Sequence, residues 1–138
     1  MSKTLFLDTN VLLDFFWERP PFSAEAELLF RLREDNRVEF FVSSLTLANV
    51  AYFADKAKKD PFKIISILLE WVQVVELDRS QFIQTLSSRF KDFEDGLQYF
   101  SALRARGVDV IITRNKKDFG ASQLLVQTPT EFLKSFEL

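Results

Sequence analysis

The 138-residue sequence predicts an α/β domain in three layers: a central, mostly parallel sheet of four to five strands with helices on both faces. Three observations predict it. Short apolar runs of strand length alternate with longer segments of helical period from one end of the chain to the other. Those runs are almost continuously apolar, as in strands covered on both faces. No repeat, low-complexity tract or linker interrupts the pattern, so residues 1–138 are read as one domain.

The elements follow in order. Thr4-Leu5-Phe6-Leu7 reads as a first buried strand ending at Asp8. Thr9 or Asn10 then caps a helix through Val11 to Trp17, and Arg19-Pro20-Pro21 breaks it. Ser23 to Arg33 is amphipathic, with Ala26, Leu29, Phe30 and Arg33 at helical spacing. Val38 to Val42 is the second strand. Ser43 and Ser44 sit where a cap is needed for a helix over Leu45 to Lys59. Asp60-Pro61 opens the next helix, with proline in the favoured first turn. Val74-Val75-Glu76-Leu77 is the third strand. Arg79 to Phe90 and Phe93 to Arg106 are helices parted near Lys91-Asp92, and Gly107 stops the second. Asp109 to Ile112 is the fourth strand. A loop over Thr113 to Ser122, a short strand at Leu124-Leu125-Val126 and a helix from Thr128-Pro129 to Phe136 complete the chain.

Composition removes whole chemistries. The sequence contains no Cys and no His. Thiol nucleophiles, iron–sulfur clusters, imidazole bases and Ser-His-Asp triads are excluded, and the usual zinc sites lose their ligands. With 3 Gly there is no glycine-rich phosphate loop of the dinucleotide-binding kind. Carboxylates remain, and with water they suit Mg²⁺ or Mn²⁺. The charge balance is 18 Lys+Arg against 20 Asp+Glu, which neither demands nor forbids a nucleic-acid partner. The start of the chain has no signal-peptide pattern and no apolar run approaches membrane-spanning length. A cytoplasmic protein without a membrane partner is expected. The 16 Phe are assigned mostly to core, with a subunit interface as the other place for some of them.

Ligands of open α/β sheets bind at the carboxyl ends of the strands, and this selects among the polar residues. Asp8 lies at that end of the first strand. Thr113, Asn115 and Asp118 follow the fourth. Asp92, Glu94 and Asp95 crowd the start of the helix that feeds it, and Asn49 lies in the helix after the second strand. Asp92 is read as a helix cap. Acids gathered from distant parts of the chain repel unless a divalent cation joins them. Such a site lowers the pKa of bound water and stabilises charge on a phosphate under attack, with no need of histidine. Asp14 is either a solvated helix residue or a supporting acid. Arg114, Lys116 and Lys117 neighbour the proposed site.

These same residues carry a family resemblance. Leu7-Asp8-Thr9-Asn10-Val11-Leu12-Leu13-Asp14 resembles the opening motif of PIN domains. Phe93-Glu94-Asp95-Gly96-Leu97-Gln98-Tyr99 resembles their third motif, and Asp109 to Phe119 their fourth. Thr128-Pro129-Thr130-Glu131-Phe132-Leu133 is similar to the closing segment of many members. The resemblance implies a ribonuclease dependent on Mg²⁺ or Mn²⁺. It implies that Asp8, Asp95 and Asp118 are the acidic metal-site and catalytic residues, supported by Thr113 and Asn115. Many small single-domain members of this kind are toxins of VapBC-type pairs, often homodimeric and held inactive by a protein antitoxin. One position departs from the pattern: Asn49 stands where the second motif usually carries Glu.

The expectation is therefore a PIN-like endoribonuclease. Asp8, Asp95 and Asp118 hold Mg²⁺ or Mn²⁺, and Asn10, Asn49, Glu94, Thr113 and Asn115 support them. Arg114, Lys116 and Lys117 contact the RNA backbone. Glu94 is a source for the charge that Asn49 lacks. The alternative is a PIN-like module that binds RNA or protein without catalysis, motivated by the same Asn49.

Overall fold

In the computed structural model, which describes residues 2–136, five parallel strands form one sheet in the order β3-β2-β1-β4-β5. The strands are β1 (Lys3–Leu7), β2 (Val38–Ser43), β3 (Val72–Val75), β4 (Val110–Ile112) and β5 (Val126–Gln127). The helices are α1 (Thr9–Phe16), α2 (Ser23–Glu34), α3 (Ser44–Lys56), α4 (Pro61–Trp71), α5 (Arg79–Leu86), α6 (Phe93–Ala105) and α7 (Pro129–Ser135), with a 3₁₀ turn at Lys116–Phe119. The strand order reverses between β1 and β4, which pair directly from Leu5↔Val110 to Leu7↔Ile112. That reversal leaves a crevice at the carboxyl ends of these two strands.

Alternation along β1 divides the core. Leu5 and Leu7 face one side, against Val11, Leu12, Leu29, Phe30, Leu68 and Phe132. Phe6 faces the other, with Val75, Tyr99, Ala102, Ile111 and Phe119. The three-layer arrangement follows. Phenylalanine fills both sides: Phe15 stacks on Phe30 at 3.9 Å between centroids, and Phe90 lies 5.0 Å from Tyr99. Phe62, Phe82 and Phe93 stay at the surface. Among the described residues no helix is long and apolar enough to cross a membrane.

Several boundaries differ from the sequence reading. Asp8, rather than Thr9 or Asn10, caps α1, because the chain turns straight from strand into helix and Thr9 is already helical. The third strand lies at Val72–Val75 instead of 74–77. Val72 pairs with Phe40 and Val75 with Ser43, so β2 ends where Glu76 begins. The freed backbone is taken by side chains: Leu77 N donates to Ser44 Oγ at 3.0 Å and Gln81 Nε2 to Glu76 O at 2.7 Å. Helix α5 stops at Leu86, not Phe90. Ser88 Oγ donates to Thr85 O and accepts from Phe90 N, which turns the chain so that Phe90 reaches the core. The fifth strand is two residues later than expected at its start, and the loop after β4 contains the 3₁₀ turn that buries Phe119.

Candidate active site

Asp8 leaves β1 at the reversal of strand order and is nearly buried. Its Oδ1 accepts from Thr9 N at 2.9 Å and its Oδ2 from Thr113 Oγ1 at 2.8 Å. Thr113 follows β4 directly and is fully buried, and its Oγ1 accepts from Asn115 N at 3.1 Å. The carboxyl ends of β1 and β4 are thus tied by one carboxylate–hydroxyl pair. Burial pushes the Asp8 carboxyl above its ordinary range. The bonds from Thr113 and Thr9 oppose that shift, and the charges of Glu94 and Asp118 add to it.

Asp95 enters from the first turn of α6. Asp92 caps this helix by accepting from Asp95 N at 3.0 Å. The Asp95 carboxyl is pushed up to about 7, first by burial and then by the charges of Asp92, Asp8, Asp118 and Glu94. Asp118 lies in the 3₁₀ turn and is exposed, with its N–H on Asn115 O at 2.9 Å. The Asp8 and Asp95 carboxyls therefore feel the charges of Asp118 and Glu94, although these acids come from β1, α6 and the loop after β4. Asn49, on α3, donates from Nδ2 to Glu94 Oε1 at 2.8 Å. The neutral amide at the departing position thereby holds a carboxylate from α6.

A buried polar chain behind these residues joins four elements, β2, α6, α3 and α1, and was not among the residues selected from sequence. Ser43 Oγ donates to Gln98 Oε1 and Gln98 Nε2 to Thr46 Oγ1, both at 2.8 Å. Thr46 Oγ1 lies 3.0 Å from Thr9 Oγ1. Gln98 follows Asp95 by three positions and Glu94 by four, so it shares their helix face. A long polar residue at that spacing inside an apolar helix is the signal by which it is found.

The basic residues divide. Arg114 lies with Nε 2.7 Å from Asp14 Oδ2 and its guanidinium 4.0 Å above the Phe22 ring. Arg19 takes the other Asp14 oxygen at 3.0 Å and also reaches Asn10 Oδ1 at 3.4 Å. Asp14 is thus a buried ion-pair centre, not a solvated residue, and Asn10 is directed at Arg19. Lys116 pairs with Glu131 at 3.1 Å. Lys117 borders a cleft that also touches Asp95 and Asp118.

Among the described residues no three acidic side chains form a ready-made coordination set. The donor chemistry nevertheless fits a hard cation. Among the described residues none donates a side-chain hydrogen bond to the Asp95 carboxylate, and the charges that shift it most are all negative. An oxygen-seeking divalent ion would supply what this group of acids lacks.

Comparison with known proteins agrees with this fold. The family model described as PIN domain matches residues 4–117. Ribonuclease VapC1 of Aquifex aeolicus (strain VF5) is 29% identical over 139 aligned positions, covering 95% of this chain and 94% of the relative. Among solved structures, VapBC2 from Rickettsia felis bound to a DNA fragment from their promoter matches with a TM-score of 0.67 at 18% identity, over 91% of this chain and 98% of that one. A toxin–antitoxin complex from Klebsiella pneumoniae matches with a TM-score of 0.67 at 23% identity, over 91% and 97%. With the family model spanning both strands that carry the crevice, the chain belongs to the PIN-domain family.

Proposed function

We propose that the chain is a metal-dependent endoribonuclease and the toxin of a toxin–antitoxin pair. The observation that carries the proposal is the convergence of Asp8, Asp95, Asp118 and Glu94 at the carboxyl ends of β1 and β4, where burial and neighbouring negative charge push the Asp8 and Asp95 carboxyls upward. Asp8, Asp95 and Asp118 hold Mg²⁺ or Mn²⁺, directly or through water. When bound, the ion supplies a water of lowered pKa and positive charge opposite the phosphate. Thr113 fixes one Asp8 oxygen, leaving the carboxylate a single orientation, and Asn115 braces Thr113 through its N–H. Asn49 keeps Glu94 beside the acids, so the negative charge usual in the second motif is supplied from α6. Lys117 contacts the RNA backbone, whereas Arg114 and Lys116 reach it only by leaving Asp14 and Glu131. In this reading the protein acts on RNA in the cytoplasm. The name of the Aquifex relative supports the activity, and the toxin–antitoxin complexes among the structural matches support a protein antitoxin as partner.

The test is RNA cleavage by purified protein in Mn²⁺. The wild type cleaves and Asp95→Asn does not. Equal cleavage by both overturns the site assignment. For the toxin role, induced expression slows growth and Asp8→Ala does not. A second reading, a binding module without catalysis, is favoured by Asn49 and by the absence of a ready-made acidic coordination set among the described residues. Calorimetric titration separates the two, since the module gives no Mn²⁺ binding at millimolar concentration.

A further inference from the structure

We infer that Arg89, Lys91 and Lys117 form a subsite for an RNA backbone phosphate adjoining the one that is cut, an inference that rests on the ribonuclease reading. A cleft of about 320 Å³ lies between the segment joining α5 to α6 and the 3₁₀ turn after β4. Arg89 and Lys91 come from the first of these and Lys117 from the second, while Asp95 and Asp118 line the same cleft. One cavity therefore holds three cations and three acids, Asp92 together with the two that form the proposed centre.

The state of these cations distinguishes them from their neighbours. Arg19 and Arg114 are spent on Asp14, Arg104 on Asp78 and Lys116 on Glu131. Arg89, Lys91 and Lys117 are exposed, and among the described residues their side chains have neither an ion-pair nor a hydrogen-bond partner. A polyanion approaching the carboxylates meets repulsion, and cations along its path offset that repulsion. Three uncommitted cations in one cleft give it its positive side. Gly120 and Ala121 add little bulk to its wall.

The chemistry of the cleft selects backbone over base. Its one aromatic, Phe90, is half-buried and engaged with Tyr99, Phe100 and Phe119. It packs against the core rather than standing free in the cleft. The subsite therefore contributes affinity that is independent of sequence.

Fluorescence anisotropy with a labelled single-stranded RNA, in Mg²⁺ and in an Asp8→Asn background that stops cleavage, tests the subsite. The double variant Arg89→Ala/Lys91→Ala weakens binding about tenfold and lowers the slope of log Kd against log salt by about 0.7, the value for one lost phosphate contact. Two RNAs of different sequence are affected alike. Arg89→Lys/Lys91→Arg restores the slope, and Lys63→Ala, outside the cleft, leaves it unchanged. Unchanged affinity and slope in the alanine double variant overturn the subsite, even if the native chain cleaves RNA. Loss of affinity for one RNA sequence only also overturns it. A native chain that neither binds nor cleaves RNA in Mn²⁺ overturns the ribonuclease reading and the subsite with it.

Discussion

Asp95 concentrates the conflict between stability and function. Its carboxyl is pushed up to about 7 from an ordinary 3.8, so the folded protein holds a proton that the unfolded chain releases near pH 4. Stability therefore falls as pH rises between these values, and the full penalty is present above pH 7. Asp95→Asn removes the charge while keeping the shape. It raises Tm at pH 8, by on the order of 3 °C after allowance for solvent screening, and changes it little at pH 4. Thermal melts at the two pH values check this; a gain at pH 4 equal to that at pH 8 contradicts it. The Asn49–Glu94 pair gives a second prediction. Glu94→Gln weakens Mn²⁺ binding about tenfold and Asn49→Ala less. The double variant is no weaker than Glu94→Gln, because one contact acts through the other. Calorimetry on the four proteins reads the cycle, and additive losses separate the two roles. The positions of these residues were readable in the sequence because they fall in the first turns of helices beside the strand ends where ligands of parallel sheets bind. The bond between Asn49 and Glu94, 45 positions apart, was not, since no local pattern reports which helix faces meet.

Helix pairing explains the lone glycine of α6. A Cβ at Gly96 would lie 2.5 Å from Thr85 Cγ2 on α5. Gly96→Ala forces these helices apart and destabilises the protein by about 1–3 kcal/mol, measurable by urea unfolding. Ala121→Gly, beside the cleft, has no such effect. Asp14 ties α1 to the chain after β4 through Arg114 and to the segment after α1 through Arg19. Asp14→Ala leaves two part-buried guanidinium groups without their anion. It costs about 2–4 kcal/mol, again by urea unfolding, and a loss below 1 kcal/mol by the same measure shows the network to be dispensable. Helices and strands were legible as types because their periods differ. Their ends were less so. The third strand begins at Val72 because β2 offers partners there, and α5 ends at Leu86 because Ser88 turns the chain so that Phe90 can join Tyr99. Both boundaries depend on distant residues. The capping of α6 by Asp92 and of α4 by Asp60 involves near neighbours only, and those ends were read directly.

Taken whole, the molecule places chemistry where its topology leaves a gap. The order β3-β2-β1-β4-β5 is not visible in sequence, yet any parallel α/β sheet must reverse somewhere, and acids at two strand ends mark where. The absence of His and Cys gains a positive meaning, because hard-cation chemistry is what carboxylates, amides and hydroxyls support. The abundant phenylalanine resolves into two aromatic clusters, one on each face of the sheet, with a remainder on the surface. The most direct measurement is the anomalous difference map of a crystal soaked in Mn²⁺. A peak among Asp8, Asp95 and Asp118, lost in Asp95→Asn crystals, is the predicted result. A well-diffracting soaked crystal with no peak between these three carboxylates contradicts it.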